Sequence, residues 1–514
     1  MVFLRKVLEE RWLLYIGLAA LAIGLPLSRS LVSIAPGILI GAWFFDGLYR
    51  QDFTSKWQLF IKDKRAWSIS LIFLVYLLWG FLAENDSQAV KLILDKLPLL
   101  FIPLTLSGLP LKRQKDMHTL LYLHIAALVL STCLSTISWI QSPQMGEIRD
   151  HVLFVNHIRL SLMIVLAVVL VWAMPRLLSN RIVKVILTVW FLVFVYYFQL
   201  ATGFVLLCVW SVIWALYAIR QKGIMRMAGF LVLALLMVGA GMTWKIMESQ
   251  FSKPQVGTLK EFTQGGKRYY HDRDNLQTEN GHYVWHHICK DELIPAWNER
   301  SEMDIPDHAD LGDLKVGRLI RYMTSKGLPK DAEGVRQLTD EDIAAIEQGS
   351  TSVVEPHSSG ILARLEAICY EVDAYRYGGD PSWSSVTVKL EYWKAGVHIL
   401  KENPWLGTGV GDVRDEFHAY FADQDRLAQE AWDKTHNQYL TWWLTFGIPM
   451  GTVVLILFLA PITWARGIGN TSLVFCYLIF LMSFLTEDTM ENQLGLNLFL
   501  LYFVLLGKAE STSS

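Results

Sequence analysis

The sequence predicts an all-α polytopic membrane protein of about twelve transmembrane helices, with one large, mainly helical periplasmic loop domain between spans nine and ten. Three observations predict it. The 514 residues are 53% hydrophobic and only 18% charged, whereas a soluble domain of this size carries more charge. Apolar runs recur along most of the chain, each near the roughly 20 residues that cross a hydrocarbon core as helix. The runs are apolar all round, unlike the one-sided stripe of a helix on a soluble core.

Taken in order, runs such as WLLYIGLAALAIGLPLS and AWSISLIFLVYLLWGFLA place spans at 12–27, 31–48 and 66–83. Six more follow at 93–109, 117–140, 157–175, 182–200, 203–219 and 227–245, and the last three at 438–460, 471–486 and 492–507. The chain therefore divides into spans one to nine (1–245), a loop domain (246–437), and spans ten to twelve with a tail (438–514).

Orientation follows from the basic residues of the short connections. One set is rich in them, including Arg11, Arg65, Arg113, Arg176, Lys184, Arg226, Arg466 and Lys508. The opposite set holds Arg29, Lys91, Lys96, Arg149 and Arg159. The positive-inside rule then makes both termini cytoplasmic, the first span an uncleaved anchor, and 246–437 periplasmic.

Within the loop domain, QLTDEDIAAIEQG reads as a short helix, with Thr339 and Asp342 at capping-box spacing and Gly349 as its stop. SSVTVKLEYWKAGVHILKENP reads as an amphipathic helix with an apolar stripe at Val386, Leu390, Trp393, Val397 and Leu400, ended by Pro404. GTGVGD after it has the glycines of a phosphate turn, but it follows a helix and reads as a tight turn.

Of the five cysteines, Cys133, Cys208 and Cys476 lie in spans, while Cys289 and Cys369 share the loop domain, as a disulfide or as two free thiols. None has metal-ligand spacing. The sequence carries no Walker loop, HExxH, nucleotide fingerprint or strongly basic patch, so no metal, no cofactor and no nucleic-acid partner is expected.

The stretch KTHNQYLTWWLTFGIPMG (434–451) sets a titratable imidazole at the lip of span ten. Thr435 and Gln438 have capping-box spacing, which puts His436 and Asn437 in the first helical turn. The helix dipole there favours the neutral imidazole, the form that accepts a proton.

This stretch resembles the His-Asn-x-Tyr-Leu motif of the O-antigen ligase and polymerase superfamily. VTVKLEYWKAGVHILKENPWLGTGVGDVRDEF resembles that family's other signature, a basic residue four before a tryptophan and then Asn-Pro-x-x-Gly-x-Gly. RYMTSKGLPKDAEGVRQLTDEDIAAIEQG, YVWHHICKDELIPAWNERS and SFLTEDTMENQLGLNLF are similar to segments of a Bacteroidetes branch. The resemblance covers about 150 to the end; the first spans match in hydropathy alone.

The resemblance implies a glycosyltransferase of the inner membrane that takes a glycan from undecaprenyl diphosphate and joins it to an acceptor sugar on the periplasmic side, the lipid A core in a ligase. Membrane lipids surround it. Such chemistry asks for a base near the acceptor hydroxyl and for cations on the diphosphate. His436 is the candidate catalytic base. Lys389 stands where the family carries arginine before the tryptophan, keeping the charge without bidentate geometry. QLATGFVLL, at the start of span eight, lacks an arginine that many members carry, and Arg159 is the candidate to supply that charge. Asn437, Trp393, Tyr439 and Arg149 are the supporting candidates. Glu487, Asp488 and Glu491 read as solvated residues of an outer connection, and Tyr439 and Trp442 as an aromatic belt.

A polymerase joining repeat units on the lipid carrier stands beside the ligase reading. A transporter or flippase is the third, and it calls for ionisable residues and broken helices near the midplane in two matching halves, which the apolar runs do not display.

Overall fold

A computed structural model gives the fold and describes residues 12–107, 114–142, 148–174, 177–255, 257–353, 360–382, 384–424, 427–429, 432, 434–464 and 471–507. It is mostly helical (72%), a polytopic helical membrane protein. The chain opens with α1 (Trp12–Leu27), α2 (Arg29–Arg50), α3 (Phe53–Lys62), α4 (Lys64–Trp79), α5 (Asp86–Asp95), α6 (Pro98–Ser107) and α7 (Gln114–Gln141). Then come α8 (His157–Ala173), α9 (Arg181–Tyr197), α10 (Ala201–Ile219) and α11 (Ile224–Phe251). A small hairpin, β1 (Thr278–Glu279) and β2 (His282–Tyr283), precedes α12 (Lys290–Asn298), α13 (Leu314–Ser325), α14 (Ala332–Arg336) and α15 (Asp340–Glu347). The remaining helices are α16 (Gly360–Arg376), α17 (Thr387–Glu402), α18 (Val413–Ala422), α19 (Gln438–Trp464), α20 (Thr471–Ser483) and α21 (Gln493–Gly507).

Among the described residues, six helices have the length and apolarity to cross a membrane, and four shorter apolar helices accompany them. Span four departs from its expected form. Residues 93–109 do not make one helix: α5 ends at Asp95 and α6 starts at Pro98. Pro98 disfavours helix in the residue before it. The break leaves Lys96 buried, with Nζ donating to the Met490 carbonyl at 2.6 Å. Several cations of the orientation argument, including Arg11, Arg113, Arg176, Arg466 and Lys508, and both termini lie outside the described residues.

The chain divides into two compact units, Met1–Trp210 with Lys389–Ser514, and Ser211–Val388. In the first, α8 and α21 are buried on nearly every side, from Leu160 to Val171 and from Leu496 to Leu506, as helices apolar all round should be. Gly17 lets α1 lie close against α2, since a Cβ there would meet Leu39 at 2.8 Å. The second unit has its own core of Val284, Ile288, Leu293, Trp297, Leu319 and Ile346. In it α15 starts as its sequence dictates, with Thr339 and Asp342 forming a capping box. All five cysteines are free thiols, Cys289 and Cys369 included.

Helix α17 forms where the sequence predicts, but on another face. Val388, Tyr392, Ala395 and Ile399 are buried, while Val397 is 46% exposed. Small residues decide the rotation: Gly396 sits so close to Leu440 that a Cβ would come within 2.8 Å of its side chain.

Helix α19 is two helices joined at Gly447, whose φ of 75° and ψ of 164° are not helical. Only glycine fits, because a Cβ would lie 2.2 Å from the Trp405 carbonyl oxygen. The break frees backbone groups that the loop after α17 takes up. Thr408 N donates to Leu444 O at 2.8 Å, Gly409 N to Thr445 O at 3.2 Å, and Ile448 N to Pro404 O at 2.8 Å. The glycines of GTGVGD thus permit close approach of one backbone to another. Gly407, at φ 72°, has no room for a Cβ beside Leu444 O. Asp412 ends the turn, buried, accepting from Glu84 N and Asn85 N at 3.0 and 2.9 Å.

Candidate functional site

The site forms at one end of the first unit, where the connection 484–492 between α20 and α21 meets the start of α19. Its backbone is set by Thr435, His436 and Asn437. Asn437 caps α19, its Oδ1 accepting from Leu440 N at 3.1 Å, so the helix begins at Gln438. The expected Thr435–Gln438 capping box does not form, and His436 stands before the first turn rather than in it. Competing polar partners in the connection 484–492 explain this. Thr435 Oγ1 donates toward Asp488 at 3.2 Å, and Gln438 is drawn to Met490 N at 2.7 Å and Glu491 at 2.9 Å.

His436 adopts φ 48°, a left-handed conformation uncommon outside glycine. Its N–H donates to Asp488 Oδ2 at 3.1 Å. The ring stacks on Tyr392, centroids 5.6 Å apart and planes 25° apart, and Nδ1 lies 3.7 Å from Glu487 Oε2. The Trp393 indole donates to Thr435 O at 3.0 Å, so α17 pins the segment just before the histidine.

Glu487 is the hub. Lys389 Nζ lies 3.0 Å from Oε1, and Arg159 Nη1 lies 3.6 Å from Oε2. Lys389 also donates to the Thr486 carbonyl at 2.7 Å. The three residues named from sequence as base and clamp therefore meet on one buried carboxylate, from positions as distant as 159, 389 and 436. Burial pushes the Glu487 carboxyl up, but the hydrogen bond from His436 and the charges of Lys389, His436 and Arg159 outweigh it and hold the group at about 2.

Two further acids lie beneath. Asp488 accepts from Thr441 Oγ1 at 2.6 Å, and burial raises its carboxyl against the pull of Lys434 at 3.9 Å. Glu491 accepts from Tyr76 OH at 2.6 Å and pairs with Lys96 at 2.8 Å. Burial raises it, and Lys96 and then Lys434 bring it down to about 2. The reading of these three acids as solvated is thereby corrected: Glu487 and Asp488 are buried, and Glu491 is nearly so. Their one sequence signal is three acids crowded into TEDTMEN between two apolar runs.

The supporting candidates separate. Asn437 and Trp393 shape the His436 segment. Tyr439 ties α19 to α20, its OH donating to Leu481 O at 2.8 Å. Arg149 lies in a short 3-10 turn, Ile148–His151.

As chemistry, the arrangement offers an imidazole with one nitrogen held toward a carboxylate and two cations beside it. Residues 343–456 match the Wzy_C family model, described as O-Antigen ligase, and the chain carries that domain there. The matched span includes Lys389, Trp393, His436 and Asn437; Arg159 and Glu487 lie outside it and join the site by packing. The family covers O-antigen ligases and polymerases. No curated protein matches the chain.

Proposed function

We propose that the chain is a membrane glycosyltransferase that moves a glycan from undecaprenyl diphosphate to an acceptor sugar, with O-antigen ligation to lipid A core as its reaction. The observation that supports this is the meeting of His436, Lys389 and Arg159 on Glu487. In this reading the chain crosses the bacterial inner membrane about twelve times with both termini cytoplasmic. Residues 246–437 form a periplasmic domain, and the site faces the periplasm.

In this reading Glu487 orients the Nδ1 side of His436, and Nε2 is assigned as the proton acceptor. The acceptor hydroxyl gives its proton to Nε2 as its oxygen bonds to the anomeric carbon of the donor glycan. The bond from that carbon to the diphosphate oxygen breaks, and its electron pair leaves with the lipid diphosphate. Lys389 and Arg159 offset the charge that develops there. Glu487 keeps both cations and the imidazole in place between turnovers.

The same geometry serves a polymerase whose acceptor is a second lipid-linked repeat unit. The matched family is described as O-Antigen ligase and covers both kinds of enzyme, so the two readings are separated by experiment. Gel profiles of lipopolysaccharide from a deletion strain test them: core without attached glycan supports the ligase, core bearing a single repeat unit supports the polymerase, and an unchanged ladder contradicts both.

A further inference from the structure

The stretch YVWHHICKD (283–291), which the site leaves unused, brings two histidines against a third in the second unit. The ring centroids of His271 and His287 are 4.8 Å apart, and those of His271 and His286 6.0 Å. The segment 258–272 lies along them as a strap. Part of its attachment is a backbone ladder, Tyr270 N to Ile288 O at 2.7 Å and Asp272 N to Trp285 O at 3.0 Å. The rings supply the rest. His287 Nε2 accepts from Lys260 N at 3.1 Å, His271 Nε2 donates to Lys260 O at 2.9 Å, and His271 Nδ1 accepts from His287 N at 3.1 Å.

Those bonds fix the protonation. His271 at Nδ1 and His287 at Nε2 each accept from a backbone N–H, so both rings are neutral with that nitrogen unprotonated. A proton added there sets donor against donor, and the bond is lost. His287 is committed by its backbone as well, at φ 55°. His286 is buried, and among the described residues its Nε2 has no hydrogen-bond partner, so a proton taken up there would be unsolvated.

The surroundings also oppose charge on the rings. Two cations face them, Lys260 on the strap and the buried Lys330, whose Nζ donates to Tyr283 O at 3.1 Å and His286 O at 2.8 Å. Burial brings Lys330 down to about 7. The acids close by are engaged elsewhere. Asp331 accepts from Tyr269 OH and Gly334 N, Glu292 from Thr263 Oγ1 at 2.7 Å, and Asp272 from the amides of Asp274 and Asn275 at 3.1 Å. Burial, then the charges of His271, Lys330, His286 and Lys260, hold His287 at about 4. Burial, then His271 and Lys330, lowers His286 against the pull of Asp272. Tyr269 and Tyr283, the phenols packed on the rings, are raised by burial and stay neutral.

We propose that His271, His286 and His287 form an acid-released latch: neutral rings hold the strap 258–272 on the second unit, and protonated rings let it go. Because the closed rings hold their protons less tightly than a free histidine at roughly 6.5, the open form binds more protons between the two values. The latch is fully closed above about pH 6.5 and loosens as pH falls towards 4. It goes beyond the glycan-transfer reading, and its test measures no transfer.

Hydrogen–deuterium exchange of the full chain in nanodiscs between pH 7 and 4, corrected for the intrinsic exchange rate at each pH, tests it. Protection of the strap should fall by on the order of tenfold or more across that range, while α13, in the core of the same unit, keeps its own. His271→Asn combined with His287→Gln replaces the two accepting nitrogens with amide oxygens that do not titrate. That double variant should keep most of its pH 7 strap protection at pH 4. A wild-type strap equally protected at pH 7 and pH 4 overturns the latch whatever the variant does. Loss shared equally by the strap and α13 also overturns it, because the whole unit then unfolds together. So does a folded double variant that loses the strap as the wild type does.

Discussion

His436 and Glu487 face each other across 3.7 Å, Nδ1 to Oε2, and the same carboxylate holds Lys389 at 3.0 Å and Arg159 at 3.6 Å. One buried acid thus lies within 3.7 Å of the proposed base and of both proposed clamp cations. Removing it leaves two cations and an imidazole without their common partner. Breaking a buried pair in this way costs more than the pair itself contributes.

Glu487→Gln should therefore slow transfer by on the order of tenfold to a few hundredfold, the rate equivalent of one lost charged contact. Glu487→Asp, which keeps the charge on a shorter arm, should recover part of the rate. Initial rates at matched expression decide this, and a wild-type rate in Glu487→Gln would detach the carboxylate from the mechanism.

The same residue predicts an acid limb of stability. Its folded carboxyl is held at about 2, below the roughly 4.3 of an unfolded glutamate, so the unfolded chain binds more protons between those values. The stabilisation is complete above about pH 4.3 and is lost as pH falls towards 2. Melting temperatures in detergent between pH 2 and 6 should fall across that window in the wild type and less steeply in Glu487→Gln.

Lys389→Arg should retain substantial transfer, because the charge stays and arginine is the residue that the resembling family carries there. Lys389→Ala and Arg159→Ala should each lose on the order of tenfold to a few hundredfold. Transfer rate against concentration of lipid-linked donor separates the cases. If both alanine variants follow the wild-type curve throughout, neither cation serves the diphosphate.

Gly447→Ala should destabilise the protein by at least the roughly 1–3 kcal/mol of a strained backbone, since its Cβ would sit 2.2 Å from Trp405 O at a positive φ. The loop 404–409 would have to leave the broken helix, exposing Leu444 O and Thr445 O. A melting temperature at or near wild type would show that the junction accommodates a side chain.

What the sequence disclosed was what is local. The α15 cap needs only Thr339 and Asp342, three residues apart, and it is there. The helix over 387–402 is also local, but its buried face is not: Tyr392 and Ala395 turn inward and Val397 outward because of what packs against Gly396. Glu487 was illegible for the same reason. An acid between two apolar helices looks solvated until Arg159, Lys389 and His436, 328, 98 and 51 positions away in sequence, arrive around it. The break in α19 carried a faint sign in Gly447 and Pro449, hidden inside a run whose hydropathy is continuous.

The central claim is that His436 takes the proton from the acceptor hydroxyl, and transfer by the purified chain in proteoliposomes with lipid-linked donor and acceptor tests it most directly. His436→Asn is the sharpest variant, because asparagine tolerates the left-handed backbone at φ 48° but does not act as a base, and His436→Ala accompanies it. The account predicts that both insert and melt near wild type while transfer is abolished. A folded His436→Asn protein that transfers at the wild-type rate would contradict it.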